Sequence, residues 1–177
     1  QEGLVTRTFR RLDLDRQQLV IDAILTEAID KGPTALNIKQ VAARADIAVG
    51  SLYSYFGNRD GLMAFISTLC VRVMNSMFEA GRPYLTKMPL ADGLRAYMQG
   101  GPEWVGEQAN ILRFFARAAY HAESELGEQV VQPIAATMQS IVHDMLTAAR
   151  ERGEIRDDLD LDANARLIHA ITIAVGD

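Results

Sequence analysis

The sequence predicts an all-α protein, and three of its features support this fold class. Apolar residues recur at the helical spacing i, i+3, i+4 and i+7 along most of the chain. No segment shows the sustained alternation of apolar and polar residues that is typical of a strand. Glycine and proline separate the periodic segments, as they commonly do between helices. With 177 residues the chain is long enough for two domains, and we expect a head over residues 1–61 and a helical bundle over residues 62–177.

The composition is that of an ordinary soluble globular protein, with 49% hydrophobic and 23% charged residues. No apolar run approaches the roughly 20 residues needed to cross a membrane, and no signal peptide opens the chain. We therefore expect a cytoplasmic protein without a membrane partner. The single Cys70 excludes an internal disulfide, and its apolar helical surroundings favour a buried thiol over a redox sensor.

The net charge of −5 is unevenly distributed along the chain. Residues 1–61 contain eight Lys or Arg and eight Asp or Glu, whereas residues 62–177 contain ten against fifteen. The excess negative charge therefore lies in the bundle. An electrically neutral head is compatible with nucleic-acid binding if its basic groups share one face.

The first stretch, residues 1–14, has little pattern. Its arginines, Arg7, Arg10 and Arg11, form either a basic arm of the kind that follows a DNA groove or a solvated leader. We expect Asp15 to cap the first helix, with Gln18 completing a capping box, and Gly32-Pro33 to end it.

The stretch from Ile38 to Phe56 predicts two short helices joined by a three-residue turn. Asn37 is the expected N-cap of the first, with Gln40 at its third position. The second starts at Val49 and is rich in small, hydroxyl and aromatic residues. This arrangement is a helix-turn-helix, which indicates DNA binding.

Five further helices are predicted, separated by glycine or proline. Asn58 is the expected cap of the first of them, Gly81-Arg82-Pro83 its end, and Pro133 either a kink or the true start of the fourth. The predicted helices are Arg59 to about Ala80, Pro89 to Met98, Pro102 to Ala122, Glu125 to Arg152, and one from Ala163. Apolar residues occupy more than one side of the last helix, which favours a partner subunit covering it.

With these residues laid out, the head closely resembles the tetracycline-repressor (TetR) family of bacterial transcription regulators. Residues 41–42 are V-A and residues 45–56 are A-D-I-A-V-G-S-L-Y-S-Y-F, followed by N-R-D-G-L at 58–62. Family members usually have I-A-x-x-A-G-V-S-x-G-x-L-Y-x-Y/H-F, then a Lys and an acidic residue. The resemblance covers roughly residues 16–66, and beyond it only the layout of helices is similar.

The resemblance implies a ligand-responsive repressor that binds a palindromic operator as a homodimer through its C-terminal helices and leaves it when a small molecule binds. It also implies which residues face DNA. Val49, Ser51 and Ser54 would contact base edges, while Tyr53, Tyr55 and Arg59 would contact phosphates. The full set of expected DNA-contacting residues is Asn37, Lys39, Ala48, Val49, Gly50, Ser51, Tyr53, Ser54, Tyr55 and Arg59. Leu52 and Phe56 are expected in the core, and Arg44 in a surface ion pair or on a flanking phosphate.

The chain departs from the family pattern in the turn. Asp46 replaces the usual Gly, so Asp is expected to adopt a left-handed conformation and brings a negative charge near the phosphates. Ala48 replaces the usual Ser at the N-cap of the recognition helix, at a cost of ~1 kcal/mol. Arg59 in place of the usual Lys keeps the positive charge.

A Met-rich and aromatic group in the bundle is the candidate effector pocket. Such a stripe is either part of the core or, as the resemblance implies, the lining of a cavity for a largely apolar or aromatic small molecule. Its candidate ligand-binding residues are Tyr97, Met98, Trp104, Phe114, Phe115, Tyr120 and Met138.

Neither a catalytic nor a metal-binding pattern is evident. The sequence has no glycine-rich phosphate loop, no nucleophile elbow and no histidine pair at metal-ligand spacing. We therefore expect no enzyme activity, no metal and no cofactor. The alternative function is an all-α small-molecule-binding or assembly protein whose head has lost operator binding.

Overall fold

The computed structural model of the chain describes residues 3–32, 35–99, 109–119 and 125–175. These residues contain helices and no β-strand, which confirms the all-α prediction. The helices are α1 (Arg7–Arg10), α2 (Leu14–Lys31), α3 (Ile38–Arg44), α4 (Val49–Phe56), α5 (Arg59–Leu85), α6 (Leu90–Gln99), α7 (Ala109–Ala119), α8 (Glu125–Glu151) and α9 (Leu161–Val175). The rest of the helix predicted from Pro102 to Ala122 lies outside the described residues.

The prediction that Asp15 caps the first long helix was wrong by two residues. Asp13 is the N-cap of α2, and its carboxylate accepts a hydrogen bond from the Arg16 backbone N–H. Both aspartates precede the same apolar stripe, so the pattern alone did not distinguish them. At the other end, Gly32 has a φ of 83° and ends the helix, as predicted.

Two prolines lie inside helices, where Pro83 was expected to mark the end of one and Pro133 either a kink or the true start of the other. Helix α5 continues past Gly81 and Pro83 to Leu85. The guanidinium of Arg82 stabilises this turn, because it binds Glu79 one turn earlier and Asp144 on α8. The hydrogen bonds to both carboxylates also raise the pKa of Arg82. Likewise, α8 begins at Glu125, two turns before Pro133.

The described residues of 1–72 and 108–131 form one compact unit. Its core contains a cluster of aromatic rings from α1, α4 and α5, and α7 packs against α2. Cys70 is fully buried here, which confirms the prediction of a structural thiol, and burial raises its pKa to about 12. Such a thiol stays protonated and unreactive at neutral pH.

The described residues of 73–107 and 132–177 form a second compact unit. Its core cluster consists of Tyr97, Val142, Leu146, Leu161 and Ala165. The connection before α6 is held by side chains from the loop after α8. Arg152 donates to the carbonyls of Thr86 and Met88, and Glu154 accepts from the Leu90 N–H, so that acidic loop has a structural role. The domain boundary expected at residue 61 stays a prediction.

Among the described residues, α5 alone is long and apolar enough to cross a membrane. Its residues Leu62, Ile66 and Met74 are buried within protein. Core helices pass the same test of length and hydropathy.

A substitution at Phe9 tests whether the stretch before α2, residues 3–12, belongs to the folded core. Replacing Phe9, which is 3% exposed, with Ala removes a ring that contacts three others. We expect the free energy of unfolding to fall by ~3 kcal/mol in urea titrations followed by circular dichroism. Leu14→Ala is the control, because Leu14 is 81% exposed and should lose no more than ~0.5 kcal/mol. Equal losses in both variants would mean that the stretch is a solvated leader.

Candidate nucleic-acid interface

Helix α3 begins at a side-chain cap. The Asn37 side-chain oxygen accepts hydrogen bonds from the N–H groups of Lys39, at 3.0 Å, and Gln40, at 3.4 Å. Asn37 is therefore the N-cap that the sequence predicts. Val41 and Ala42 are buried beneath the helix, whereas Lys39 is exposed on its first turn. The amide of Asn37 serves the helix itself, and the cation of Lys39 points to solvent.

The turn between α3 and α4 has the backbone conformation that the sequence predicts. Asp46 has a φ of 52°, the left-handed region that normally favours glycine and that Asp tolerates better than most residues. Ile47 donates its N–H to the Ala42 carbonyl at 3.0 Å, which closes the turn. The carboxylate of Asp46 is exposed beside α4.

Helix α4 has a buried side and an open side. Leu52 and Phe56 are buried, as predicted. On the other side, a Cβ added to Gly50 would meet no atom within 4 Å, so the backbone there is open to a close approach. Ala48 provides no side-chain cap, as expected, and the Ser54 hydroxyl donates to the Ser51 carbonyl at 2.8 Å. Val49 and Ser51 are half-buried, and Ser54 is exposed.

The structure separates the two tyrosines that were predicted together as phosphate contacts. Tyr53 is 47% exposed, whereas Tyr55 is only 8% exposed. The ring of Tyr55 packs on Phe9, with ring centroids 5.6 Å apart, and on Phe56, at 6.3 Å. Residues two apart on a helix point to nearly opposite sides, so Tyr55 packs mainly in the core while Tyr53 faces solvent, and the predicted phosphate contact of Tyr55 stays a prediction. Tyr55 is a core residue that holds α4.

The junction of α4 and α5 is compact. Asn58 accepts a hydrogen bond from the Gly61 N–H at 2.8 Å and caps α5, as predicted. A Cβ at Gly61 would collide with the Phe56 carbonyl, so only glycine permits this approach. Arg59 is half-buried, and its Nε lies 3.4 Å from the Leu36 carbonyl. Part of the side chain of Arg59 is thus used inside the protein.

Arg44 joins α3 to α2, which confirms the predicted ion pair. Its Nη2 lies 2.8 Å from an Asp30 oxygen, and its Nε lies 3.3 Å from Glu27. Glu27 is only 1% exposed, and neither of its oxygens accepts a hydrogen bond from the described residues. The pairing with Glu27 is therefore purely electrostatic. A buried carboxylate needs this neighbouring cation.

The chain matches the family model described as "Bacterial regulatory proteins, tetR family" over residues 20–65, which contain both helices of the motif and the turn. Over these residues the chain has the DNA-binding domain of the TetR family. The resemblance seen in the sequence is thus confirmed. The matched residues run from the middle of α2 into the first two turns of α5.

Among proteins of known function, this chain is similar to the "HTH-type transcriptional repressor KstR" of Mycobacterium tuberculosis. The two are 24% identical over 149 residues, covering 81% of this chain and 62% of the relative. The chain thus spans less than two thirds of the length of that relative.

Solved structures share the fold. FadR of Bacillus subtilis, in complex with stearoyl-CoA, has a TM-score of 0.65 and 18% identity, over 88% of this chain and 82% of FadR. The SmeT–triclosan complex, from Stenotrophomonas maltophilia, has a TM-score of 0.69 and 18% identity, over 91% and 78% of the two chains.

The residues predicted for the effector pocket have different environments. Tyr97 is buried in the core of the second unit, and Met138 packs against the same cluster, whereas Met98 is 44% exposed. Phe114 is buried and Phe115 half-buried on α7, in the first unit. Trp104 and Tyr120 lie outside the described residues. The pocket as a whole stays a prediction.

Three polar side-chain atoms in the second unit are buried without a hydrogen-bond partner among the described residues. They are the hydroxyl of Tyr97, whose pKa is raised by burial, Oδ1 of Asn75 and Nδ1 of His169. Burial lowers the pKa of His169, which disfavours the charged imidazole in the folded state. The helical pattern around His169 is apolar, so nothing in the sequence singles this residue out. No group of three potential metal-ligating side chains occurs among the described residues.

The Arg44–Glu27 pair yields a stability prediction for the head. Arg44→Ala leaves the buried carboxylate of Glu27 without its cation, and removing one partner of a buried pair costs ~3–5 kcal/mol. Because Arg44 is 38% exposed, water screens the pair, and we expect a decrease of ~2 kcal/mol in the free energy of unfolding in urea. Asp30→Ala, which leaves the pair with Glu27 intact, should cost less than ~1 kcal/mol. Adding Glu27→Met to Arg44→Ala should recover stability, and a double variant no better than Arg44→Ala alone would contradict this account.

Proposed function

We propose that this protein is a ligand-responsive, DNA-binding transcriptional regulator of the bacterial cytoplasm, a repressor that leaves its operator when a small molecule binds. One observation carries the proposal: helix α4 exposes its glycine-containing first turn to solvent while its opposite side is fixed in an aromatic core. A short helix presented in this way suits the DNA major groove, which admits an α-helix and displays a distinct pattern for every base pair.

The side chains available on α4 define the proposed contacts. Val49, Ser51 and Ser54 lie on or near the open side and would contact base edges, with Val49 suited to a thymine methyl group. Gly50 lets the helix backbone come close to the groove, and Ala48 stands at the end that enters it. Together these five residues would distinguish one operator sequence from another.

Phosphate contacts would come from residues around α4. Lys39 and Tyr53 are exposed, and the backbone next to the Asn37 cap is near the surface. Arg59, half-buried at the start of α5, would contact a phosphate as well. Such contacts position the protein on the duplex without reading its sequence. Tyr55 would act indirectly, by keeping α4 in place.

A homodimer is supported by α9. Leu167 is 57% exposed and Ile171, one turn later, is 47% exposed, so the helix presents an apolar stripe to solvent. A second copy of the chain covering this stripe would give a two-fold symmetric protein. Two heads related by this symmetry match a palindromic operator with half-sites about one helical turn apart, ~34–36 Å.

The proposed effector is largely apolar. The cluster around Tyr97 consists of aliphatic and aromatic side chains, and the unpaired hydroxyl of Tyr97 would bind one polar group of the ligand. Neighbours in fold have been solved with stearoyl-CoA and with triclosan, and both ligands are rich in apolar surface. Trp104, Tyr120, Phe114, Phe115 and Met98 remain the other candidates for the pocket.

The proposed switch uses α5, which runs without interruption from Arg59 beside the recognition helix to Leu85. A ligand that favours a form with the heads wrongly spaced would release the operator. Because coupling between two binding sites is reciprocal, operator DNA must weaken that ligand by the same factor. This reciprocity identifies a true effector among the compounds that merely bind.

The second candidate function is a small-molecule-binding or assembly protein whose head no longer binds an operator. The observations that favour it are the exposed carboxylate of Asp46 beside α4 and the missing side-chain cap at Ala48. Both would weaken DNA binding, the first by repulsion of phosphates and the second by loss of a hydrogen-bonding group.

DNA binding is tested by gel shift and fluorescence anisotropy with DNA from around the protein's own gene. We expect a sequence-dependent, salt-sensitive complex. Lys39→Gln should weaken it on all operator variants and lower the slope of log K against log salt by ~1 for each head, because each phosphate contact contributes about 0.9. Lys87→Gln, an exposed lysine of the second unit, is the matched control and should change neither quantity. Absence of any sequence-dependent shift with the wild type would favour the second candidate function.

The dimer is tested on α9. Replacing Leu167 and Ile171 with Glu places charges on the apolar stripe, and we expect the mass in solution, measured by light scattering after gel filtration, to change from two chains to one. The control is Leu14→Glu, at a residue that is 81% exposed on α2. A wild-type protein that is monomeric at micromolar concentration would contradict the proposed dimer.

A further inference from the structure

Residues 3–12 lie outside the family match but are attached to the recognition helix. The Thr6 N–H donates to the Tyr55 carbonyl at 2.9 Å, and the Thr6 hydroxyl donates to the Ser54 carbonyl at 2.7 Å. Val5 and Phe9 are buried, and the ring of Phe9 contacts those of Tyr55 and Phe56. This stretch is therefore docked on the last turn of α4.

The docking places three arginines beside α4. Helix α1 starts at Arg7, the residue after Thr6, and Arg7, Arg10 and Arg11 are all exposed. Among the described residues, none of these three arginines takes part in an ion pair.

Charges spaced in this way repel one another. Arg7 and Arg10 stand at i and i+3, and Arg7 and Arg11 at i and i+4. Like charges at these spacings destabilise a helix. The buried side of the stretch holds the three cations together although no carboxylate of the described residues offsets them. A polyanion bound at this face would offset the three positive charges.

We propose that helix α1 is a second DNA-contacting element, whose arginines bind backbone phosphates next to the groove that α4 enters. The inference rests on the proposed function, since α4 must be on DNA for α1 to reach it. Arginine is suited to this contact because its planar guanidinium can bind a phosphate with two hydrogen bonds. The interaction supplies affinity and sets the orientation of the head without reading bases.

The test is the combined variant Arg7→Gln, Arg10→Gln and Arg11→Gln, titrated with operator DNA at several salt concentrations. Removing one arginine–phosphate interaction should lower the slope of log K against log salt by about 0.9, so that a dimer without all six of them shows a decrease of up to ~5. Affinity should fall by a similar factor on operators with different flanking sequences. Circular dichroism should show an unchanged fold, because all three side chains are exposed.

The matched control removes three positive charges elsewhere, with Lys87→Gln, Arg95→Gln and Arg156→Gln, all exposed residues of the second unit. For this control variant, the slope of log K against log salt should equal that of the wild type. If the wild type binds its operator and the α1 variant behaves like this control, the role of α1 is overturned while the proposed function stands. If the wild type binds no operator at all, the proposed function itself fails. A decrease in affinity restricted to A·T-rich flanks would overturn phosphate binding in favour of minor-groove recognition.

Discussion

The exposed side of α4, which the proposed function assigns to DNA, depends on the aromatic packing beneath that helix. Phe56 lies 5.2 Å from both Phe9 and Phe65, measured between ring centroids, and Tyr55 packs on the same cluster. The helix has eight residues and no side-chain cap, so it is far too short to be stable alone. Tertiary burial is what keeps it helical and in place. The missing cap at Ala48 is tolerated for the same reason. The other end of α4 is held by the packing of Tyr55 and Phe56.

This dependence explains why two similar side chains have different roles. Tyr53 and Tyr55 are separated by about 200° around the helix axis, since each residue advances about 100°. One therefore faces solvent and the other the core. A helix that packs in a core on one side and is proposed to contact DNA on the other divides its residues in this way. A family motif does not state which side each residue takes.

The electrostatics of the head follow from how its acidic groups are used. Glu27 is buried, Asp30 pairs with Arg44, and Asp13 caps α2. Asp46 is exposed, so the surface carries charges of both signs. Even so, exposed cations lie on two elements next to α4, with Lys39 on α3 and the arginines on and directly after α1. A head that is neutral by count is thus not uniform in charge, which matters for a polyanionic partner.

The sequence by itself determined the all-α class, the position of the helix-turn-helix, the Asn37 cap and the left-handed Asp46. Each of these depends on residues at most a few positions apart, where helical spacing and backbone sterics act directly. Only the tertiary structure decided that α1 docks, that Tyr55 is buried and that α5 continues through Pro83. These features rest on contacts between residues far apart in sequence, such as Thr6 with Ser54 or Arg82 with Asp144. Local pattern cannot specify such contacts, because they form only once the helices have packed.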